Sequence, residues 1–230
     1  MPTGLDHITV VAASLEAGSR FVRESLGVEP QAGRAHPSMG THNRLLRLGD
    51  TVYLEVIAAD PDAPPPSRPR WFGLDHVSSA TPPRLAAWVA STDDIVSLAV
   101  PALGVVETMR REHHAWQMTL TADGDPPLSG AGPLLIQRAP GVHPARALPD
   151  AGLRLRWLRV HHPEPARVSA LLATLRLATQ PEVRVVHGDT CSLVAEIDTP
   201  SGPRSLGRER CDVRVDTVRR GGHAIDGSGL

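Results

Sequence analysis

The sequence predicts an α+β protein assembled from repeated βαβββ modules. Three observations predict it: β-branched runs bounded by turn residues, an amphipathic helix directly after the first run, and recurrence of the order strand, helix, three strands along the 230 residues. The first copy opens with Leu5-Asp6-His7-Ile8-Thr9-Val10-Val11 and passes to Ser14, a good N-cap. Gly18, Phe21, Val22, Ser25 and Leu26 then fall on one helical face, and Gly27 supplies the stop. Three strands follow, near 28–34, 42–48 and 51–58, the last two separated by the turn Gly49-Asp50.

The stretch from Asp60 to Pro69 holds five prolines and reads as a polyproline-like linker, because proline cannot donate to a ladder. A second copy starts at 85–90, with a helix capped at Thr92 that places Ile95, Leu98, Ala99, Ala102 and Leu103 on one face before Gly104. Pro101 is expected to kink or shorten this helix. Strands at 105–110, 116–121 and 134–138 complete the copy. A third start lies at 153–160, followed by a helix with Pro165 at its first position and Val168, Leu171, Leu172 and Leu175 at helical spacing. Two strands follow it, near 183–186 and 192–197. The organisation expected is a domain over 4–142 holding two modules (4–59 and 85–139), a third, partial βαββ module over 152–206 packed on it, and a flexible tail over 207–230.

The formal charge of −1 is spread through the chain, which argues against a nucleic-acid or anionic-membrane surface and for a small-molecule ligand. There is no lysine among the 24 basic residues, which excludes Schiff-base lysine chemistry and a P-loop. Cys191 and Cys211 have no ligand-like spacing, so a reducing cytoplasm is the expected compartment. No apolar run approaches membrane-spanning length.

The order of elements, with Leu5-Asp6-His7-Ile8 opening the first copy and Tyr53-Leu54-Glu55-Val56-Ile57 closing it, resembles the vicinal-oxygen-chelate superfamily. Gly40-Thr41-His42-Asn43, Tyr53-Leu54-Glu55 and Trp71-Phe72-Gly73-Leu74 narrow the resemblance to its bacterial glyoxalase-like domain proteins. The resemblance implies paired modules curved into a cup of the glyoxalase, bleomycin-resistance and dioxygenase type. It also implies a divalent ion (Fe, Mn, Ni or Zn) held by residues of each module's first and last strands.

His7 and Glu55 occupy the first module's two positions, with Glu55 also the expected base. A mid-strand carboxylate among apolar residues is costly unless something offsets its charge, and a metal is one such partner. In the second module the resemblance places Gln137 as third ligand, a neutral amide that can coordinate but cannot abstract a proton. His42, Asn43, Tyr53, His114 and Trp116 are expected to line the substrate pocket.

The bland alternatives are a core histidine at position 7 and a Glu55 paired with Arg44 or Arg47. The repeated GLDH at 73–76 and the pairs His113-His114 and His161-His162 read as linker and surface, since adjacent strand residues face opposite ways. Trp88, Trp116 and Trp157 read as core by default, one of them able to wall a pocket. The function implied is a metal-dependent lyase or isomerase acting on a small oxygenated molecule, with an extradiol dioxygenase less supported because only one histidine is in place. The alternatives are a metal-free binding protein of the bleomycin-resistance type, in which a homodimer often forms the cleft, and a scaffold with a degenerate pocket.

Overall fold

A computed structural model describes residues 3–111 and 114–207, excluding the side chains of 111 and 114. Strand β1 (Gly4–Val11) leads into helix α1 (Leu15–Leu26), whose first turn is capped by Ser14 Oγ accepting from the Ala17 amide at 3.2 Å. Gly27 closes it at φ 77°, a left-handed conformation in which glycine avoids the Cβ penalty. Strands β2 (Gln31–His36), β3 (Thr41–Arg47) and β4 (Tyr53–Ala59) follow. The second unit comprises β5 (Arg84–Ser91), the single turn α2 (Ile95–Leu98), β6 (Val105–Arg111), β7 (His114–Leu120) and β8 (Leu134–Arg138).

These eight strands form one sheet in the order β2-β3-β4-β1-β5-β8-β7-β6, curled into a half-barrel. Each unit's first strand lies parallel to its last, and the two units join through antiparallel β1 and β5. The order therefore reads the same from either edge.

The second helix departs from expectation in extent. Its N-cap is Asp94, whose carboxylate accepts from the Ser97 amide, while Thr92 accepts from Asp94 one turn earlier. It ends after Leu98, because the residue preceding Pro101 is driven to extended backbone and proline cannot continue the ladder. A separate 3-10 turn carries Leu103 into the core.

The C-terminal unit comprises α3 (Pro144–Ala147), β9 (Arg154–His162), α4 (Pro165–Thr174), β10 (Glu182–His187), β11 (Ser192–Thr199) and β12 (Gly202–Leu206). Its strands form a second sheet ordered β10-β9-β11-β12. Here β9 pairs parallel with the strand after its helix, so the wiring differs from the first two units. β12 is the strand that periodicity did not mark: Gly202-Pro203-Arg204-Ser205-Leu206 has almost no alternation. It sits at an edge, where the missing N–H of Pro203 costs no ladder bond.

Alternation divides the large sheet's two faces. Ile8, Val10, Leu46, Leu54 and Val56 face outward to α1 and the second sheet, forming one core with Leu155, Leu158 and Ile197. Val11, Ile57, Val89, Met118 and Ile136 face the hollow of the half-barrel with Trp71 and Phe72. Two backbone bonds hold the sheets together at their margins, Leu155 N to Leu48 O at 2.9 Å and Ala178 N to Thr3 O at 2.7 Å. Among the described residues no helix is long and apolar enough to cross a membrane. Residue 113 and the tail 208–230 lie outside the described residues.

Helix α1 approaches the sheet through Gly18, where an added Cβ would stand 2.4 Å from Val56 Cγ1 and 3.0 Å from the Ala12 Cβ. Gly18→Val is expected to lower the unfolding free energy by about 1–3 kcal/mol by overpacking this contact, measured by denaturant titration.

Candidate functional site

The hollow of the half-barrel contains a cavity of about 750 Å³. Strand alternation delivers His7 from β1, Asn43 from β3, and Tyr53 and Glu55 from β4 to its wall. His7 and Glu55 meet there, Nε2 to Oε2 at 3.5 Å, with both side chains almost fully buried. Asn43 holds the other carboxylate oxygen, its amide nitrogen donating to Glu55 Oε1 at 2.6 Å. The Asn43 carbonyl oxygen accepts from the Arg34 amide at 2.8 Å, across the irregular pairing of β2 between Ala32 and Ala35. That approach requires Gly33, since a Cβ there would lie 2.0 Å from Asn43 Oδ1.

Behind His7 stands a residue the sequence did not single out. Asp6 is wholly buried, and its Oδ1 lies 2.6 Å from His7 Nδ1. Neighbours on a regular strand point apart, but β1 shifts register against β5 between Leu5 and His7, and this bulge lets Asp6 reach the ring beside it. Arg138 of β8 completes the arrangement: it pairs with Asp6 through both terminal nitrogens and donates to the Tyr53 hydroxyl at 3.1 Å. His143 Nε2 comes within 3.2 Å of Asp6 Oδ2 without hydrogen-bond direction. Tyr53 stacks on the His7 ring, centroids 4.5 Å apart and planes within 17°.

Electrostatics fixes the charge states. Burial alone would raise the Asp6 pKa, but the Arg138 charge and the two histidines outweigh it and hold the group well below its usual range. Burial likewise opposes charge on His7 and Glu55. Their mutual pairing, with Asp6 behind His7, raises the imidazole above its ordinary value and lowers the carboxyl below its own. Burial pushes the Tyr53 hydroxyl well up, so it stays neutral. Arg138 is raised too, because Tyr53, charged only at the alkaline pH where a guanidinium titrates, and Asp6 outweigh its desolvation.

Several expectations are corrected by this geometry. Gln137 faces away from the cavity, one residue out of phase with Ile136 and Arg138, and its Oε1 accepts from the Ile95 amide at 2.8 Å. It caps the short helix and does not line this cavity. His42 is likewise out of phase with Asn43 and lies 3.9 Å from Asp60 on the other side of the sheet. Neither Arg44 nor Arg47 pairs with Glu55, since Arg44 contacts Ser19 and Glu29 and Arg47 contacts Asp50.

The side chain of His114 lies outside the described residues. Trp116 does line the cavity, Trp88 is core, and Trp157 packs beneath Arg159 and Arg184 on the second sheet. His76 is exposed beside Asp125. Arg138, His143, His36, Trp71 and Phe72 line the cavity without having been assigned to it.

The family resemblance implies a divalent ion in this cavity. On the second unit's first and last strands the hollow-facing positions are Ala87 and Val89 of β5 and Leu134, Ile136 and Arg138 of β8. Four are apolar and one is a guanidinium, whose charge opposes a nearby cation. Among the described residues no group of three His, Cys, Asp or Glu side chains is placed to hold a metal. His7 and Glu55 are two donors, where catalytic sites of this kind use three protein ligands. The described residues do not by themselves complete a metal centre.

The glyoxalase-like domain family matches residues 5–176. Comparison with curated proteins finds no match. Among solved structures, a hypothetical protein from Staphylococcus aureus is 12% identical, with a TM-score of 0.53 over 83% of this chain and 88% of that one. Methylmalonyl-CoA epimerase from Streptomyces coelicolor is 17% identical over 59% of this chain and 96% of its own, at TM-score 0.40. The Mn(II)-bound glyoxalase from Novosphingobium aromaticivorans is 10% identical over 86% and 79%, at 0.41. With three quarters of its length matched by the family, the chain belongs to the glyoxalase-like domain family.

Proposed function

We propose that this protein is a metal-independent enzyme of the isomerase or lyase type that moves a proton on a small oxygenated organic molecule. The observation that carries the reading is the buried pair of His7 Nε2 and Glu55 Oε2, 3.5 Å apart on the cavity wall, with Asp6 fixing the far side of the imidazole. Glu55, ionised and oriented by Asn43, takes a proton from carbon beside a carbonyl. His7, charged and held by Asp6, donates to the oxygen on which negative charge develops. The neutral Tyr53 hydroxyl and the Arg138 guanidinium face the same end of the cavity and orient that oxygen. A second reading, a binding protein without chemistry, is favoured by the aromatic part of the cavity lining.

Proton exchange separates the two. Enolisable ketones incubated with the protein in D2O are expected to lose their α-proton signals, followed by NMR, and Glu55→Gln and His7→Gln each to slow this by about 10²–10⁴-fold. Ligand binding with no exchange in the wild type transfers the assignment to the binding protein.

Protein purified after growth with Mn, Fe, Ni and Zn is expected to carry well below one equivalent of metal by elemental analysis. Its melting temperature should not respond to those ions or to chelator. One tightly held ion per chain, lost in His7→Ala, overturns the metal-independent reading.

The pKa directions also set a stability profile. His7 lies above its ordinary 6.5, so the stability it contributes is complete below 6.5 and is lost as pH rises through its folded value. Glu55 and Asp6 lie below 4.5 and 3.8, so theirs is complete above those values and is lost as pH falls through the folded ones. The melting temperature is expected to be highest between pH 4.5 and 6.5 and to fall above that window. In His7→Gln the alkaline decline should be reduced.

A further inference from the structure

The cavity is formed by 23 of the 230 residues, one in ten, yet it takes Tyr53, Trp71, Phe72 and Trp116 from a chain with only four Trp, two Phe and one Tyr. More than half of the aromatic side chains therefore meet at one hollow. Asn43, Glu55, His7 and Arg138 are the polar part of its lining, while Trp71, Phe72, Trp116, Met118 and Ile136, which pack in one cluster, are its aromatic and thioether part.

The aromatic part is held at a cost. Phe72 has φ 60°, a left-handed conformation unfavourable for a bulky side chain, and Gly73 follows at φ 66°. The turn is pinned by the Gly73 amide donating to Gly124 O at 3.0 Å, and a Cβ on Gly73 would lie 2.9 Å from Asp125 Oδ1. The conformation presents Trp71 and Phe72 together, ring centroids 5.8 Å apart. The stacked Tyr53 and His7 rings also line the cavity.

We propose that the ligand is a flat aromatic compound bearing a carbonyl oxygen, its ring against Trp71, Phe72 and Trp116 and its oxygen at the His7, Tyr53 and Arg138 end. This rests on the proton-transfer reading for the orientation of the oxygen, and on the aromatic wall for the ring. Flat π faces stack with such a wall, and a puckered aliphatic ring of equal size does not. A cavity of about 750 Å³ admits one or two fused rings with a short side chain.

The test is calorimetric titration of the Glu55→Gln protein, in which binding is measured without turnover. The probes are 4-phenyl-2-butanone, 4-cyclohexyl-2-butanone and butylbenzene. The cyclohexyl ketone is the more apolar, so burial alone favours it. The aromatic ketone is expected to bind about tenfold tighter than either other probe. Trp116→Leu should erase the preference over the cyclohexyl ketone while leaving the unliganded melting temperature close to that of its parent.

Equal binding of the two ketones, binding of neither, or butylbenzene matching the aromatic ketone overturns the proposal. An aromatic ketone that binds as expected but shows no α-proton exchange in wild-type protein removes the catalytic reading and leaves the ligand class standing. Exchange of aliphatic ketones with no aromatic preference does the reverse.

Discussion

The buried carboxylate of Asp6 is the constraint on which the rest of the site depends. A carboxylate with no solvent exposure is tolerable only if its charge and lone pairs are met, and Asp6 is met by Arg138 and His7, with His143 close by. Arg138 comes from the second module's last strand and His7 from the first module's opening strand. One ion pair thus spans β1, β5 and β8 and requires both halves of the sheet to be in register. Removing one partner of such a buried pair costs about 3–5 kcal/mol, far more than breaking a solvent-exposed pair such as Arg154 with Asp150. The orientation of the His7 imidazole is consequently a property of the whole half-barrel.

The pseudo-symmetric sheet carries an asymmetric chemistry. Asn43, Glu55 and His7 stand on β3, β4 and β1. Met118, Ile136 and Val89 face the same hollow from β7, β8 and β5. The first module therefore supplies proton donors and acceptors, and the second supplies dispersion surface and one guanidinium. An amphipathic ligand has a single favourable orientation in such a cavity, which is a simple physical source of regiochemistry.

Much of the fold was legible because the elements concerned follow periodic rules. Helix α1 begins after Ser14 and ends at Gly27, and β8 spans Leu134–Arg138, as alternation and capping require. The meeting of His7 and Glu55 was legible for the same reason, since two strands of one face bring their phased residues together. What escaped notice lies where periodicity breaks. Asp6 reaches the site through a bulge, and Phe72 through a left-handed turn in a segment whose local composition is that of a linker. Arg138 was overlooked in favour of Gln137 because a one-residue error in phase exchanges the faces of a strand. β12 has too few apolar residues to alternate.

The charge cluster itself bears on whether the cavity acts on its ligand or only holds it. An apolar cavity binds an apolar molecule without desolvating any ion, and replacing a buried ion network by packed hydrophobic residues is often neutral or stabilising by about 1–4 kcal/mol. Asp6, His7, Glu55 and Arg138 thus form an arrangement that pure sequestration does not need. Their pairings drive the imidazole toward its charged acid form and the carboxyl toward its charged base form, two opposite proton-transfer capacities 3.5 Å apart beside a space large enough for a substrate. In the proposed reaction, return of the Glu55 proton to the other carbon or face of the enol, with His7 recovering its own proton from the oxygen, restores both groups while the substrate is isomerised. Simple binding would not use that cycle.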